Sequence, residues 1–411
     1  MSLTLLAVTG MTPQVITETL YGLHRQRSPW PSRIHIITTE VGKGVLEQSL
    51  LADRKLASLC EELERPDFSR EQVRIDVVPD AEGNPVDDAR TLADHEALAD
   101  FIMQTVRELT ADERIDLHAS IAGGRKTMTF YLGYAMSLFG RPGDRMSHVL
   151  VSEGYESHPE FFFPTATTQW ITDRHGNQWD AAKADVSLAD IPFIRQRDQL
   201  PNLLQQQGDS NGKRMRFRQL VELINLGAQS HRLGIRLNAS EQQLEILAEG
   251  ECVYRLAFAG LFDWCWYEVV ARATRENDGS LRRHTDDGSE NTAYFGHAVM
   301  ARLAVHLGLP YDAERDLRPQ VEEWLDQHVA TLEAARIRSV DFESSMLRGL
   351  DVSQATNRIK RRLTAELPAG IATRLAPGLY FDGAGIKHTR TRRGGGYGLN
   401  LDPEQILLSE E

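Results

Sequence analysis

The chain has 411 residues, with 46 Lys and Arg against 59 Asp and Glu, giving a formal net charge of −13. At roughly 150 residues per domain this length predicts two or three domains, and 41% hydrophobic with 26% charged residues excludes a mostly disordered chain. The acidic total argues against indiscriminate coating of nucleic acid, while leaving room for a local basic patch around a phosphate ligand.

In chain order, the start MSLTLLAVTGMTPQVI carries no basic leader and no small-residue cleavage site, so residues 3–8 read as a first strand rather than a signal peptide. Residues 13–25 follow with a helical stripe of Val15, Thr19, Leu20 and Leu23. Further strands are expected at 33–38, 73–78, 115–121 and 146–151, and helices at 45 to about 64, 91–109 and 127–139. Fully apolar strands alternating with helices predict an α/β, Rossmann-like parallel sheet covered on both faces. Right-handed crossovers would then bring every strand C-terminus, and any ligand site, to one edge.

Residues 196–215 turn to Gln, Asp, Ser, Asn and Gly, a linker between a domain at 1–195 and one at 216–411. Beyond it, helices are expected at 217–230, 256–274 (rich in aromatics), 292–307, 317–336 and 353–367. Short strands fall at 234–237, 244–248, 378–382 and 397–401, with a polar loop at 278–291. Helices followed by a two-stranded ribbon with a glycine-rich tip predict a mostly α, winged-helix-like second domain. No stretch approaches the ~20 apolar residues of a membrane span. Cys60, Cys252 and Cys265 are odd in number and unevenly spaced, supporting neither a disulfide framework nor a zinc site. The expectation is a cytoplasmic, reduced protein without metal, cofactor or membrane.

Two loops carry chemistry. Thr9-Gly10-Met11-Thr12-Pro13-Gln14 joins the first strand to the first helix. A glycine there lets backbone approach a ligand, and hydroxyls at a helix start suit a phosphate; a plain N-cap with Pro13 in the first turn explains the same residues. Ser120-Ile121-Ala122-Gly123-Gly124-Arg125-Lys126-Thr127 follows the fourth strand and makes a compact anion cradle, although its spacing is neither a P-loop nor a dinucleotide fingerprint. A tight turn with two solvated cations is the bland account of that loop alone. Two such loops on one sheet edge read as a polyphosphate site.

VTGMTPQVITETLYGL with SIAGGRKTMTFYLGYAMSLFG, followed by SHVLVSEGYE and FFFP, resembles the CRISPR-associated Rossmann-fold (CARF) family, in its ring-nuclease branch from type III systems. The resemblance covers residues 1–195. It implies a homodimeric sensor whose two sites join across a twofold axis to bind cyclic oligoadenylate, and in some members a metal-free hydrolase that cuts the ring. The cut would be made by a ribose 2′-hydroxyl attacking its own phosphorus, so the protein need only fix in-line geometry and stabilise developing charge. On that resemblance Lys126 stabilises the transition state, Arg125 helps, and Thr12 joins them as a catalytic residue. Thr9, Gly10, Pro13, Gln14, Ser120, Gly123, Gly124 and Thr127 hold ligand, while Thr38 and Thr39 line an adenine pocket or merely cap a strand end.

The remaining residues have blander explanations. His118 and His148 fall within strands, Glu156 and His158 in the loop after the fifth strand, and none shows metal-ligand spacing. Many CARF effectors carry a ribonuclease motif of Arg, four to six residues, then His; Arg302 and His306 have only three between and read as structural. The segment RLNASEQQLEILAEGECVYRLAFAGLFDWCWYEVVAR more loosely resembles the opening of a response-regulator winged helix. Between Ala355 and Gly398 stand nine Lys/Arg against two Asp/Glu. Of these, Arg358, Arg361, Arg362, Lys387, Arg390, Arg392 and Arg393 form a candidate patch for DNA or RNA, or else a solvated helix face and hairpin. Three functions compete: a protein that binds and degrades cyclic oligoadenylate, a ligand-gated transcriptional regulator, and a ligand-activated ribonuclease.

Overall fold

The computed structural model describes residues 2–156, 158–201, 215–258, 260–276, 281, 288–334, 351–380 and 396–408. The chain divides into two compact units, Met1–Leu200 and Pro201–Glu411.

The first unit is built on β1 (Ser2–Val8), β2 (Arg33–Thr38), β3 (Val73–Val77), β4 (Ile115–Ser120), β5 (Arg145–Val151) and β8 (Val186–Asp190), in the order β3-β2-β1-β4-β5-β8. The first five run parallel: Ala7 of β1 pairs with Ile36 of β2 on one side and Ser120 of β4 on the other. On one face α1 (Gln14–Arg25), α2 (Glu40–Leu46) and α3 (Lys55–Glu62) bury Val15, Ile16, Leu20, Leu46, Leu50, Leu56 and Leu59 against Leu5, Ala7, Ile34 and Ile36. Alternation sends the intervening strand residues to the other face. There α4 (Leu92–Ala111) and α5 (Lys126–Phe139) pack on each other and bury Ile102, Val106, Leu132 and Met136.

Two features depart from the sequence reading. The sheet is not wholly parallel, because β8 runs antiparallel to β5, Val149 facing Leu188. The chain returns to it through the hairpin of β6 (Trp170–Thr172) and β7 (Gln178–Asp180) rather than through a crossover helix. As an edge strand β8 alternates buried and exposed positions, so it lacks the apolar run that marks its neighbours. The helix expected at 45–64 is broken in two. Leu50 and Leu56 are six residues apart, roughly 240° out of phase on a continuous helix. A wider-wound segment, Glu47–Ala52, and a left-handed Arg54 at φ 56° let both leucines reach the core.

Between β3 and α4 the chain makes an excursion. Asp80 closes a turn by accepting from the backbone N–H groups of Glu82 and Asn84, and Val86 N–H bonds back to Val78 carbonyl at 2.9 Å. The returning arm accepts from α2: Glu40 N–H donates to Val86 carbonyl at 2.9 Å and Val41 N–H to Asp87 carbonyl at 3.4 Å. Thr91 and Asp94 then form a reciprocal capping box that starts α4.

The second unit opens with α6 (Phe217–Leu226) and a meander of β9 (Leu233–Asn238), β10 (Gln243–Ala248) and β11 (Glu251–Ala257), with β14 (Ile406–Leu408) parallel to β9. The sequence reading began the aromatic helix at 256. Leu256 instead lies in β11, and the helix, α7, spans Leu261–Glu276. Trp264, Trp266 and Tyr267 are fully buried on it. α8 (Gly288–Leu307) and α11 (Asp351–Glu366) pack on it, α9 (Leu317–Gln327) packs on α8, α10 (Val329–Ala334) on α9, and α12 (Ala369–Leu375) on α11. β12 (Gly378–Tyr380) and β13 (Gly396–Gly398) form an antiparallel ribbon, and Tyr397 stacks edge-on against Trp266 at 5.0 Å. Lys387, Arg390, Arg392 and Arg393 lie outside the described residues, as does most of the 196–215 linker.

Candidate functional site

The strand order reverses at β1: the chain steps outward to β2 and β3 on one side, then to β4 and β5 on the other. In open α/β sheets that switch point leaves a crevice at the strand C-termini. Both loops singled out by sequence lie on its rim, and they touch. A Cβ on Gly123 would stand 2.8 Å from Val15 Cγ2 and 3.2 Å from Val8 carbonyl oxygen. Gly124, at φ +86°, places its Cβ position 3.5 Å from the Thr9 backbone. Glycine is therefore what lets the cradle lie against the end of β1. A third close approach joins β2, since a Cβ on Gly42 would fall 2.2 Å from Thr38 Oγ1 and 2.8 Å from Gly10 carbonyl oxygen.

The hydroxyls divide between scaffold and surface. Thr9 is fully buried and its Oγ1 donates to Thr12 carbonyl at 2.9 Å, shaping the first loop. Ser120 is buried, its Oγ 3.0 Å from Thr19 Oγ1 of α1. Thr39 caps α2 by accepting from Gly42 N–H at 3.4 Å. Thr38 Oγ1 is buried without a hydrogen-bond partner, and Pro13 is buried at the start of α1. Thr12, Gly124, Arg125 and Lys126 are exposed, and Gly10, Gln14 and Thr127 half-buried. These form the reachable surface, at the positive end of the α5 macrodipole. Gln14 Nε2 donates to Pro159 carbonyl at 3.3 Å, and its buried Oε1 has no hydrogen-bond partner.

Sequence reasoning missed two side chains here. Asp88 Oδ1 accepts from Arg125 Nη2 at 2.5 Å and Nε at 3.1 Å, while Arg90 Nε donates to its Oδ2 at 2.9 Å. The Arg125 hydrogen bond, then that of Arg90, holds the Asp88 carboxyl below the ordinary carboxylate range. His95, on the first turn of α4, lies with Nδ1 3.2 Å from Thr127 Oγ1. Lys126 has no ion-pair partner among the described residues.

Beside the first loop, the segment after β5 covers α1. Glu18 is 6% exposed, and burial, followed by repulsion from Glu156, pushes its carboxyl up to about 8. His158 Nδ1 accepts from Glu160 N–H at 3.2 Å, and its buried Nε2 finds no partner. His118 is a core residue: its Nε2 lies 2.7 Å from Ser147 Oγ, and burial lowers it to about 4.

Among the described residues of the second unit, several cations pair with its own carboxylates. Arg358 Nη2 lies 2.5 Å from Asp263 Oδ1, and Arg362 Nε 3.0 Å from Glu366 Oε1. Arg361 is exposed. Arg302 and His306 both reach buried Glu268, at 2.6 and 2.9 Å, alongside Arg272 at 2.9 Å. Burial opposes the Glu268 charge, yet the bond to His306 and the field of Arg302 hold its carboxyl down at about 2. That internal lock agrees with a structural role for the Arg302–His306 pair. Among the described residues no cluster of three or more His, Cys, Asp or Glu is placed to hold a metal, and no helix is long and apolar enough to cross a membrane.

A family model described as CRISPR-associated protein NE0113 matches residues 12–223, just over half the chain. No curated protein matches. Among solved structures, Enterococcus italicus Csm6 bound to cyclic hexa-2′-fluoro-hexa-dAMP is 11% identical, covering 88% of this chain and 87% of that one at a TM-score of 0.29. Protein VC1899 from Vibrio cholerae is 12% identical over 87% and 69%, at 0.23. A Listeria monocytogenes protein assigned as UDP-N-acetylglucosamine 2-epimerase is 14% identical over 33% of this chain, at 0.19, and the chain spans 28% of its length. Likeness at these scores fixes no residue of the site.

Proposed function

The chain belongs to the CRISPR-associated NE0113 family, and from that premise we propose that its first unit binds cyclic oligoadenylate in the crevice at the switch point and cleaves it. The observation that carries this reading is the packing of Gly123 and Gly124 directly on Thr9 and Val8. It brings both loops into contact, with Lys126 exposed beside them. A ring of phosphodiesters suits such a cradle better than an isolated phosphate, because both loops contribute at once.

In this reading the 2′-hydroxyl attacks its neighbouring phosphorus and expels the 5′-oxygen, leaving a 2′,3′-cyclic phosphate. Lys126 stabilises the charge growing on the phosphoryl oxygens, Arg125 assists, and Thr12 with Gln14 positions the ribose–phosphate backbone. A second copy would complete the ring site. Phe130, 61% exposed on α5 just beyond the cradle, with Tyr131 and Tyr134 each 5.9 Å from its ring, supports a homodimer there.

The test is incubation with cyclic tetra- and hexa-adenylate in EDTA. Linear products with cyclic phosphate ends are expected, and Lys126→Ala should abolish cleavage more than binding. A ring left intact by stoichiometric protein would remove the enzyme, and EDTA-sensitive cleavage would remove the metal-free route. The β12–β13 ribbon favours a second reading, a ligand-gated regulator binding DNA through the second unit. Salt-dependent, sequence-selective DNA binding altered by the ring would support it.

A further inference from the structure

We propose that Asp88 is a built-in stand-in for a ligand phosphate: its carboxylate occupies Arg125 and yields to an entering phosphodiester. The proposal rests on reading the cradle as an anion site, and names how that site is regulated.

Carboxylate and phosphate present a guanidinium with the same kind of acceptor oxygens. Asp88 exploits that equivalence by taking both Nε and Nη2 of Arg125 on one oxygen while Arg90 holds the other. Lys126, the next residue along, has no such partner among the described residues. The exchange needs little movement. Buried Val86 and Ala89 pin the strap on either side of Asp88, and the backbone bonds to Glu40 and Val41 hold the returning arm. Only side chains have to turn. Arg125 is 45% exposed and Asp88 28%. Ion pairs this open to solvent are weak, so a ligand presenting several phosphates displaces the carboxylate where a single anion competes poorly. The same stretch also supplies His95 to Thr127, so two side chains of the second loop are engaged from 88–95. Asp88 thus sets a threshold that favours polyanionic rings over solitary phosphates.

Removing the rival should strengthen binding, the opposite of what loss of a purely structural contact would do. In calorimetry Asp88→Asn and Asp88→Ala should bind cyclic tetra- or hexa-adenylate roughly two- to fivefold more tightly than the natural protein. They should gain more still for inorganic pyrophosphate, the probe with fewest phosphates. In an Arg125→Gln background the gain should vanish, since Arg125 is the group released. Variants that melt like the natural protein yet bind equally or more weakly would overturn the proposal, as would a gain that survives Arg125→Gln. The outcomes separate it from the function on which it rests. If no ring binds but pyrophosphate binding rises in an Arg125-dependent way, the stand-in holds and the ring reading falls. If rings bind and Asp88 variants show no gain, the reverse is true.

Discussion

In the second unit Glu268 is gripped by Arg272, Arg302 and His306, Glu245 by Arg236 and Arg255, and Arg358 by Asp263. In the first unit Glu18 lies buried with Glu156 as its electrostatic neighbour, and Lys126 stands exposed without an ion pair among the described residues. Both units pair basic residues with their own carboxylates, but at the loops joining β1 to α1 and β4 to α5 an exposed lysine stands beside close-packed glycines without an ion pair among the described residues. A count of cations does not identify an anion site. What identifies it is a cation left over where backbone makes room.

The sharpest test of that contrast is pH. The Glu18 carboxyl sits at about 8 when folded against an ordinary 4.5. The folded state therefore holds the proton more tightly. Its contribution to stability is complete below pH 4.5 and is lost as pH rises through 8. Urea unfolding should show a loss of about 3–5 kcal/mol across that window, which Glu18→Gln should largely flatten. An unchanged slope would mean that Glu18 is compensated after all. Next in size, Arg125→Ala with Lys126→Ala should weaken ring binding by at least ~100-fold, about 2.7 kcal/mol. The pair Arg358→Ala and Arg362→Ala should change it less than about threefold, because those side chains are held by Asp263 and Glu366 of the second unit. Equal effects would break the comparison.

Backbone room is tested by glycine. Gly42→Ala drives a methyl into Thr38 and the Gly10 carbonyl, and should destabilise the first unit by about 1–3 kcal/mol. Gly10→Ala meets nothing within 4 Å and should fold normally. Its effect should appear only as weaker ring binding. The smallest effect belongs to the exposed Arg358–Asp263 pair, whose removal should cost less than about 1 kcal/mol in thermal or urea unfolding.

The parallel core was legible because strands buried on both faces announce themselves as apolar runs, as RIHIIT does. The second loop was legible because paired glycines before Arg125 and Lys126 mark a tight strand-to-helix turn, which Gly124 makes at φ +86°, although the approach of Gly123 to Val8 and Val15 is tertiary. Asp88 and His95 were not, since their partners lie 37 and 32 positions away and nothing in DDAR or ADHE marks a tertiary contact. β8 escaped notice because an edge strand is only half buried. Thr38 and Ser120 show the limit of reading hydroxyls from position alone. Both end strands at the crevice, yet their side chains turn inward, and only Ser120 finds a partner there.

The most direct measurement is calorimetric titration of the whole protein with cyclic tetra- and hexa-adenylate. The account predicts one ring per two chains, with an affinity of ~1 μM or tighter that collapses when Arg125 and Lys126 are both replaced by alanine. Absence of heat with every ring, or binding indifferent to that double replacement, would contradict it.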